Sequence, residues 1–323
     1  DRRKFLARIT ALGCSAAASP LITPVAFASA PWDARLVVII LRGAMDGLDA
    51  FRPIGDPDYA ALRPTLLKDT IDLTGFFGMH PALSPLRPLW DAGQMGAAQA
   101  VSTPYRDKRS HFDGQDILEA GKPGIEGAGN DGWLNRMLQV MPNVEGQTAF
   151  AIGREQQLLL TGAAPAARWS PEAQLSLSPQ AQLLLALVQG SDPLFQTASA
   201  EAIEIAQNLA MTAAQDTQDA GMMMSDPMMQ AVNAKAEHVQ LADFAAARLR
   251  GDTRIASFSI NGWDTHLNQQ GGLPRALRRL SDTILTLRTG LGPDWDKTAV
   301  LCLTEFGRTA RENGTKGTDH GTG

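Results

Sequence analysis

A chain of 323 residues with 44% hydrophobic and 20% charged residues has enough apolar sequence for a large core in one or two domains, which excludes disordered and fibrous classes. Its net charge of −5 becomes −8 without the first 30 residues, which hold four basic residues and one acidic, and this balance argues against a nucleic-acid partner. An anionic small substrate stays open, because bound cations reverse the local sign.

The two cysteines, Cys14 and Cys302, make neither a disulfide framework nor a thiolate metal site. Residues 1–30 have the layout of a secretory signal, with Arg2, Arg3, Lys4 and Arg8, an apolar middle and small residues at the end. Arg2-Arg3 ahead of Phe5-Leu6 looks like the twin-arginine pattern, from which Asp1 and Ala7 depart. The expectation is cleavage after Ala28 or Ala30, passage through the twin-arginine export machinery, and a periplasmic or secreted product. Pro20 and Pro24 interrupt the apolar stretch, so no stable membrane span is expected.

The run "RLVVIILRG" at 35–43 is continuously apolar, as expected of a parallel strand covered on both faces, and it places Asp46 on the loop at its carboxyl end. Weaker strand candidates are 96–105 and 148–153. A helical middle follows at about 171–250, read as an insertion, with a Met cluster taken as core filler. The rhythm of strand, loop and helix then returns with "RIASFSING", a helix over "LPRALRRLSDTILTLRTGL" and the strand "KTAVLCLTEFG". Strands alternating with amphipathic helices predict a three-layer α/β/α domain over residues 31–323 with a mostly parallel central sheet.

In such sheets ligands bind beyond the carboxyl ends of the strands. Asp46, Asp264 with His266, and Glu305 all stand there. His111, His266 and His320 each lie within two residues of an aspartate. Carboxylate and imidazole donors without thiolates suit a divalent ion such as zinc, manganese or iron, with calcium or magnesium as harder alternatives. His80, ahead of Pro81, reads as the cap of a helix start or as a pocket residue, and His238 as a residue of a helix face.

The segments "LVVIILRGAMDGLDAF", "HPALSPL", "KRSHFDGQD", "SINGWDTHLNQ" and "LTEFGRT…GTDHGTG" together resemble the DUF1501 family of secreted proteins, itself similar to the alkaline phosphatase/sulfatase superfamily. The resemblance implies an alkaline-phosphatase-like fold. It implies metal ligands at Asp46, Asp264, His266 and His320, and a nucleophile at Ser110. Where the superfamily has adjacent Asp-His, this chain has Glu305-Phe306, with Glu305 a metal ligand or a base partner behind one; one imidazole is missing, so either His111 or Asp319 supplies the ligand or one of two metal positions is weak or gone. The family's chains continue past "DHGTG", so a sequence incomplete at its C-terminal end is expected.

The function these readings point to is hydrolysis of phosphate or sulfate esters assisted by one or two divalent ions. Arg109, Arg308 or Lys108 would hold an anionic oxygen, and His111 would ligate or shuttle a proton. Ser110 has a second reading as the N-cap of the helix that "RSHFDGQD" enters. The competing function is a non-catalytic, cell-envelope or polysaccharide-associated binding protein, with Glu305, Arg308 and Asp319 in a salt-bridge network. The partners are accordingly an anionic small molecule or a modified polysaccharide.

Overall fold

The computed structural model describes residues 33–105, 110–124, 131–171 and 235–322. The expected signal segment, Arg109 with Lys108, and residues 172–234 of the expected helical insertion lie outside these residues. The chain divides into two compact units, residues 1–169 with 241–323, and residues 170–240. Of the second unit only 170–171 and 235–240 are described.

Strand β1 (Arg35–Arg42) forms because Val37, Val38, Ile39, Ile40 and Leu41 are β-formers that bury both faces of the sheet. The other strands of that sheet are β5 (Ala149–Ile152), β6 (Ala167–Trp169), β7 (Ile255–Asn261) and β8 (Thr298–Leu303), in the order β6–β5–β7–β1–β8. Every neighbouring pair is parallel, and β1 pairs Val38 with Ser257 on one side and Leu301 on the other. The described residues thus form an α/β fold with a parallel central sheet and flanking helices. Three short strands make a separate antiparallel sheet: β2 (Phe51–Arg52), β3 (Ile71–Asp72) and β4 (Gly78–Met79), with β4 in the middle. Strands β9 (Gly307–Arg308) and β10 (His320–Gly321) close a hairpin in which His320 faces Arg308.

The helices follow from apolar stripes and caps. In chain order they are α1 (Gly47–Ala50), α2 (Tyr59–Leu62), α3 (Arg87–Asp91), α4 (His111–Ala120), α5 (Trp133–Gln139), α6 (Glu237–Leu249) and α7 (Gln269–Leu291). Helix α7 buries Leu273, Ala276, Leu277, Leu280, Leu287 and Leu291, a stripe at helical spacing, against β7 and the 3-10 turn Pro81–Leu86. Val38 and Ile40 of β1 pack in one cluster with Leu134 and Leu138 of α5 and with Leu159 and Leu160.

Two expectations change. Residues 96–105 form no strand: Ala97, Ala98, Ala100 and Val101 are exposed, Ala100 has φ 54°, and Gln99 ties the segment down through bonds to the carbonyls of Gly47 and Phe51. A small-residue run with nothing to bury on either face has no reason to join a sheet. The edge strand β6, by contrast, was not expected; its three residues are too few for an alternation, and Trp169 is held by stacking on Phe244 at 3.9 Å. Among the described residues no helix is long and apolar enough to cross a membrane.

Candidate metal centre

Because β1, β7 and β8 run parallel and adjacent, the loops that follow them meet at one edge of the sheet. The loop after β1 is pressed against the loop after β7: a Cβ on Gly43, whose φ is +118°, would lie 2.6 Å from the Asp264 amide nitrogen. The hairpin loop closes from the other side, where a Cβ on Gly317 would stand 2.2 Å from the carbonyl oxygen of His266. Only glycine permits either approach.

Arg308, on β9 and wholly buried, fastens these loops together. Its Nε donates to Ala44 O at 2.8 Å and its Nη1 to Thr318 O at 3.2 Å. Its Nη2 reaches Gly43 O at 2.6 Å and Asp264 Oδ1 at 2.7 Å. The guanidinium is therefore committed to backbone carbonyls and to one carboxylate.

Inside this frame four side chains converge: His111, Asp264, His266 and His320 each offer a ligand atom, and these atoms all lie within 4.8 Å of one another. The Nε2 atoms of His266 and His320 are 2.9 Å apart. Asp264 Oδ1 is 3.2 Å from His266 Nε2, and its Oδ2 is 3.6 Å from His111 Nε2.

Two further carboxylates meet these rings from behind. His111 Nδ1 meets Glu305 Oε1 at 2.8 Å, and His266 Nδ1 meets Asp319 Oδ1 at 3.2 Å. An ionised carboxylate only accepts, so the Nδ1 of His111 carries the proton and its Nε2 lone pair faces the cluster, whereas His266 has a carboxylate at each nitrogen, Asp319 at Nδ1 and Asp264 at Nε2. Glu305 is wholly buried, which pushes its carboxyl up, but bonds from His111, Gln115 and the Gly43 amide hold it below the ordinary value. Asp264 also lies below its ordinary value, burial being outweighed by the Arg308 contact. Burial, with the nearby His111 and Arg308, pushes His320 down to about 4, so its ring is neutral at neutral pH.

These residues fit a cation. His111 Nε2 and His320 Nδ1 are buried nitrogens with no hydrogen-bond partner, a costly arrangement unless something else uses them. Three imidazoles and one carboxylate can coordinate one metal ion, and such a set favours a first-row transition ion over calcium or magnesium.

The other expected site residues lie around this group in different places. Asp46 is wholly buried and stands outside the four: Arg63 grips it with Nη1 at 2.7 Å and Nη2 at 3.1 Å, Gln269 donates to it at 2.7 Å, and it caps α1. Burial pushes the Asp46 carboxyl up while Arg63 pulls it back, so a fixed guanidinium occupies the side where a ligand would need a cation. Glu305 and Asp319 stand behind His111 and His266, and Arg308 straps loops. Ser110 caps α4, its Oγ accepting from the Asp113 amide at 3.2 Å. Phe306 lines the cluster, its ring 5.1 Å from that of His111 and 4.8 Å from that of His320. His80 caps the 3-10 turn Pro81–Leu86 through Nδ1.

Arg63 and Gln269 were not foreseen. Gln269 had a weak signal, a polar residue opening a helix just after a histidine. Arg63 had none, because its partner is fixed only by tertiary folding.

A family model described as "Protein of unknown function (DUF1501)" matches residues 94–323. No curated protein and no solved structure matches the chain.

Proposed function

From the premise that the chain belongs to the DUF1501 family, we propose that it is an exported, metal-dependent hydrolase of phosphate or sulfate esters with an alkaline-phosphatase-like fold. The observation that carries this reading is the convergence of His111, Asp264, His266 and His320 at the carboxyl edge of a parallel sheet, with His111 braced by the buried Glu305 and His266 by the exposed Asp319. That edge is where α/β enzymes place their chemistry.

His111, Asp264, His266 and His320 would hold zinc, manganese or iron, which would supply Lewis-acid polarisation of an ester oxygen and a lowered pKa at a nearby nucleophile. The chain's own residues do the rest. Glu305 holds the His111 ring in one tautomer, Asp319 braces the His266 ring, and Arg308 keeps Asp264 ionised and in place. Ser110, adjacent to His111, is the candidate nucleophile: its oxygen caps α4 while its hydroxyl proton stays available to a base. The free N–H groups opening α4 favour a tetrahedral anion beside it. Arg109 is the candidate clamp for that anion, since Arg308 is committed to the loops. The substrate is an anionic ester, free or carried on a modified polysaccharide, met in the periplasm or outside the cell after twin-arginine export.

The binding-protein reading draws on the same geometry, because Arg308, Glu305 and Asp319 are all engaged in holding loops. A panel of aryl phosphate and aryl sulfate esters, assayed on zinc- and manganese-loaded protein and on Ser110→Ala, separates the two. Turnover that falls at least a hundredfold in Ser110→Ala with metal content retained supports the hydrolase. Metal uptake without turnover of any ester supports the binding protein.

A further inference from the structure

Gln269, the first residue of α7, lies three positions after His266 and is wholly buried. A primary amide has two donor protons and two acceptor lone pairs, and here all four are used. Its Nε2 donates to Asp46 Oδ2 at 2.7 Å and to Asp49 Oδ2 at 2.8 Å. Its Oε1 accepts from the hydroxyls of Thr265 at 3.0 Å and Thr318 at 2.7 Å. The orientation is unambiguous, because carboxylates paired with arginines present only acceptors to the NH2 group.

The two acceptors are anchored to the scaffold. Arg63 holds Asp46 and also donates to the carbonyls of Thr309 and Ala310, at the start of the hairpin loop. Arg52 holds Asp49 at 2.7 Å, both side chains nearly buried. The two donors belong to the loops that carry ligands: Thr265 precedes His266, and Thr318 lies two residues before His320. The Thr318 amide donates to Thr265 O at 3.2 Å, so the loops also touch directly. One amide thus spans from a rigid ion-pair base to both histidine-bearing loops.

We propose that Gln269 is the positioning residue that sets the separation of His266 and His320, and through it the affinity of the centre for its cation. The second half of this inference rests on the metal reading above; the first does not. A fully satisfied buried amide is specific in a way that an apolar residue is not, since any loop displacement breaks a hydrogen bond in a site without water to replace it. The facing Nε2 atoms, 2.9 Å apart, are the output of that constraint.

Asn135 supplies the control. It is also wholly buried and fully bonded, with Nδ2 to Leu160 O and Ala164 O and Oδ1 from the Ala164 amide, but none of its partners adjoins the four ligands. The experiment compares the full-length wild type with Gln269→Met, Thr318→Val and Asn135→Leu. Gln269→Met keeps the chain length and deletes all four bonds, whereas Thr318→Val deletes one donor at constant shape and keeps the test alive where the first variant fails to fold. Histidine ring nitrogen resonances are read in the metal-free proteins, and cobalt(II) is then titrated by visible absorption.

Gln269→Met and Thr318→Val are expected to move the His266 and His320 resonances and to leave His238 in place, with Asn135→Leu moving none of the three. Cobalt(II) affinity is expected to fall about 10–100-fold in Gln269→Met, with altered ligand-field bands, less in Thr318→Val, and not in Asn135→Leu. Unmoved His266 and His320 resonances in the Gln269 and Thr318 variants overturn the positioning role, as do equal effects from Asn135→Leu. A wild type that takes up no cobalt(II) overturns the affinity half together with the metal reading, while the resonances still decide the positioning half.

Discussion

The two ends of the parallel sheet both carry charged residues, and they treat them in opposite ways. At the end where β1 and β8 begin, Arg35 bonds Leu249 O and pairs with Asp33 and Asp294, and Lys297 pairs with Asp33. Asp33 and Lys297 are about half exposed there, so water does most of the solvation and each pair adds little. At the end where β1, β7 and β8 finish, Asp46, Arg63, Glu305 and Arg308 are wholly buried. Each has a complete set of partners drawn from distant segments: Arg308 alone joins residues 43, 44, 264 and 318. Burying such groups is costly unless every lone pair and proton is matched, and the matching fixes the loops in one arrangement. The difference teaches that the carboxyl end is built to hold positions through wholly buried charges, whereas the amino end buries Arg35 and leaves its other charges largely to water.

That contrast breaks most readily at Arg308. Arg308→Met leaves Asp264 and the carbonyls of Gly43, Ala44, Trp263 and Thr318 without their donor, and a loss of about 3–5 kcal/mol in denaturant unfolding is expected. A change as small as that of a surface substitution would remove the contrast. Next is His320→Ala, which deletes a ligand; zinc uptake measured by competition with a chelating dye should weaken by more than about 100-fold, beyond the range of outer-shell changes.

His80 sharpens the comparison through pH. Burial pushes it down to about 4, with Asp49 opposing and Arg52 and Arg278 reinforcing the shift, against about 6.5 in the unfolded chain. The unfolded chain therefore takes the proton first. Stability is complete above pH 6.5 and is lost as pH falls from 6.5 towards 4, by up to about 3 kcal/mol. His80→Asn keeps an oxygen to cap the Ala82 amide and removes the titration, so its stability measured across that window should show a flatter slope than the wild type. Equal slopes would mean that His80 titrates alike in both states.

Smaller again is Glu305→Gln. It leaves an acceptor for the Gly43 amide but weakens the hold on His111 Nδ1, and a 10–100-fold loss of zinc affinity is expected with the fold retained. Lys297→Ala, at the exposed end, should leave the melting temperature within measurement scatter, and a clear fall would show that the amino end also relies on its pairs.

Much of this was legible in the sequence, for identifiable reasons. Strands β1 and β7 are dense apolar runs whose burial on both faces is written in their composition, while the edge strand β8 leaves Ala299 and Leu301 exposed, and the parallel order follows from their alternation with amphipathic helices. Asp264 and His266 stand close to the end of β7 and so could be placed before any coordinates, whereas His320, far beyond the end of β8, was brought in by the family resemblance. Asp46 shows where such reasoning stops: a carboxylate after a strand meets either a cation or an arginine, and only folding brings Arg63 to it. Gln269 was hidden for the same reason, since its four partners come from three separate segments. The run at 96–105 misled because alanine and glycine carry weak preferences of their own, while β6 is too short to show any. Ser110 remains the clearest case of a residue with two readings, for the cap it makes to Asp113 is compatible with attack by the same oxygen.

The central claim is that His111, Asp264, His266 and His320 hold a transition-metal ion. Elemental analysis of the full chain, purified without chelator and dialysed after challenge with zinc, manganese, iron, calcium and magnesium, tests it most directly. The account predicts about one equivalent of zinc, manganese or iron retained per chain, with retention lost in His320→Ala, as a four-residue site requires. A wild-type protein that emerges metal-free, or that keeps equal metal in His320→Ala, would contradict it.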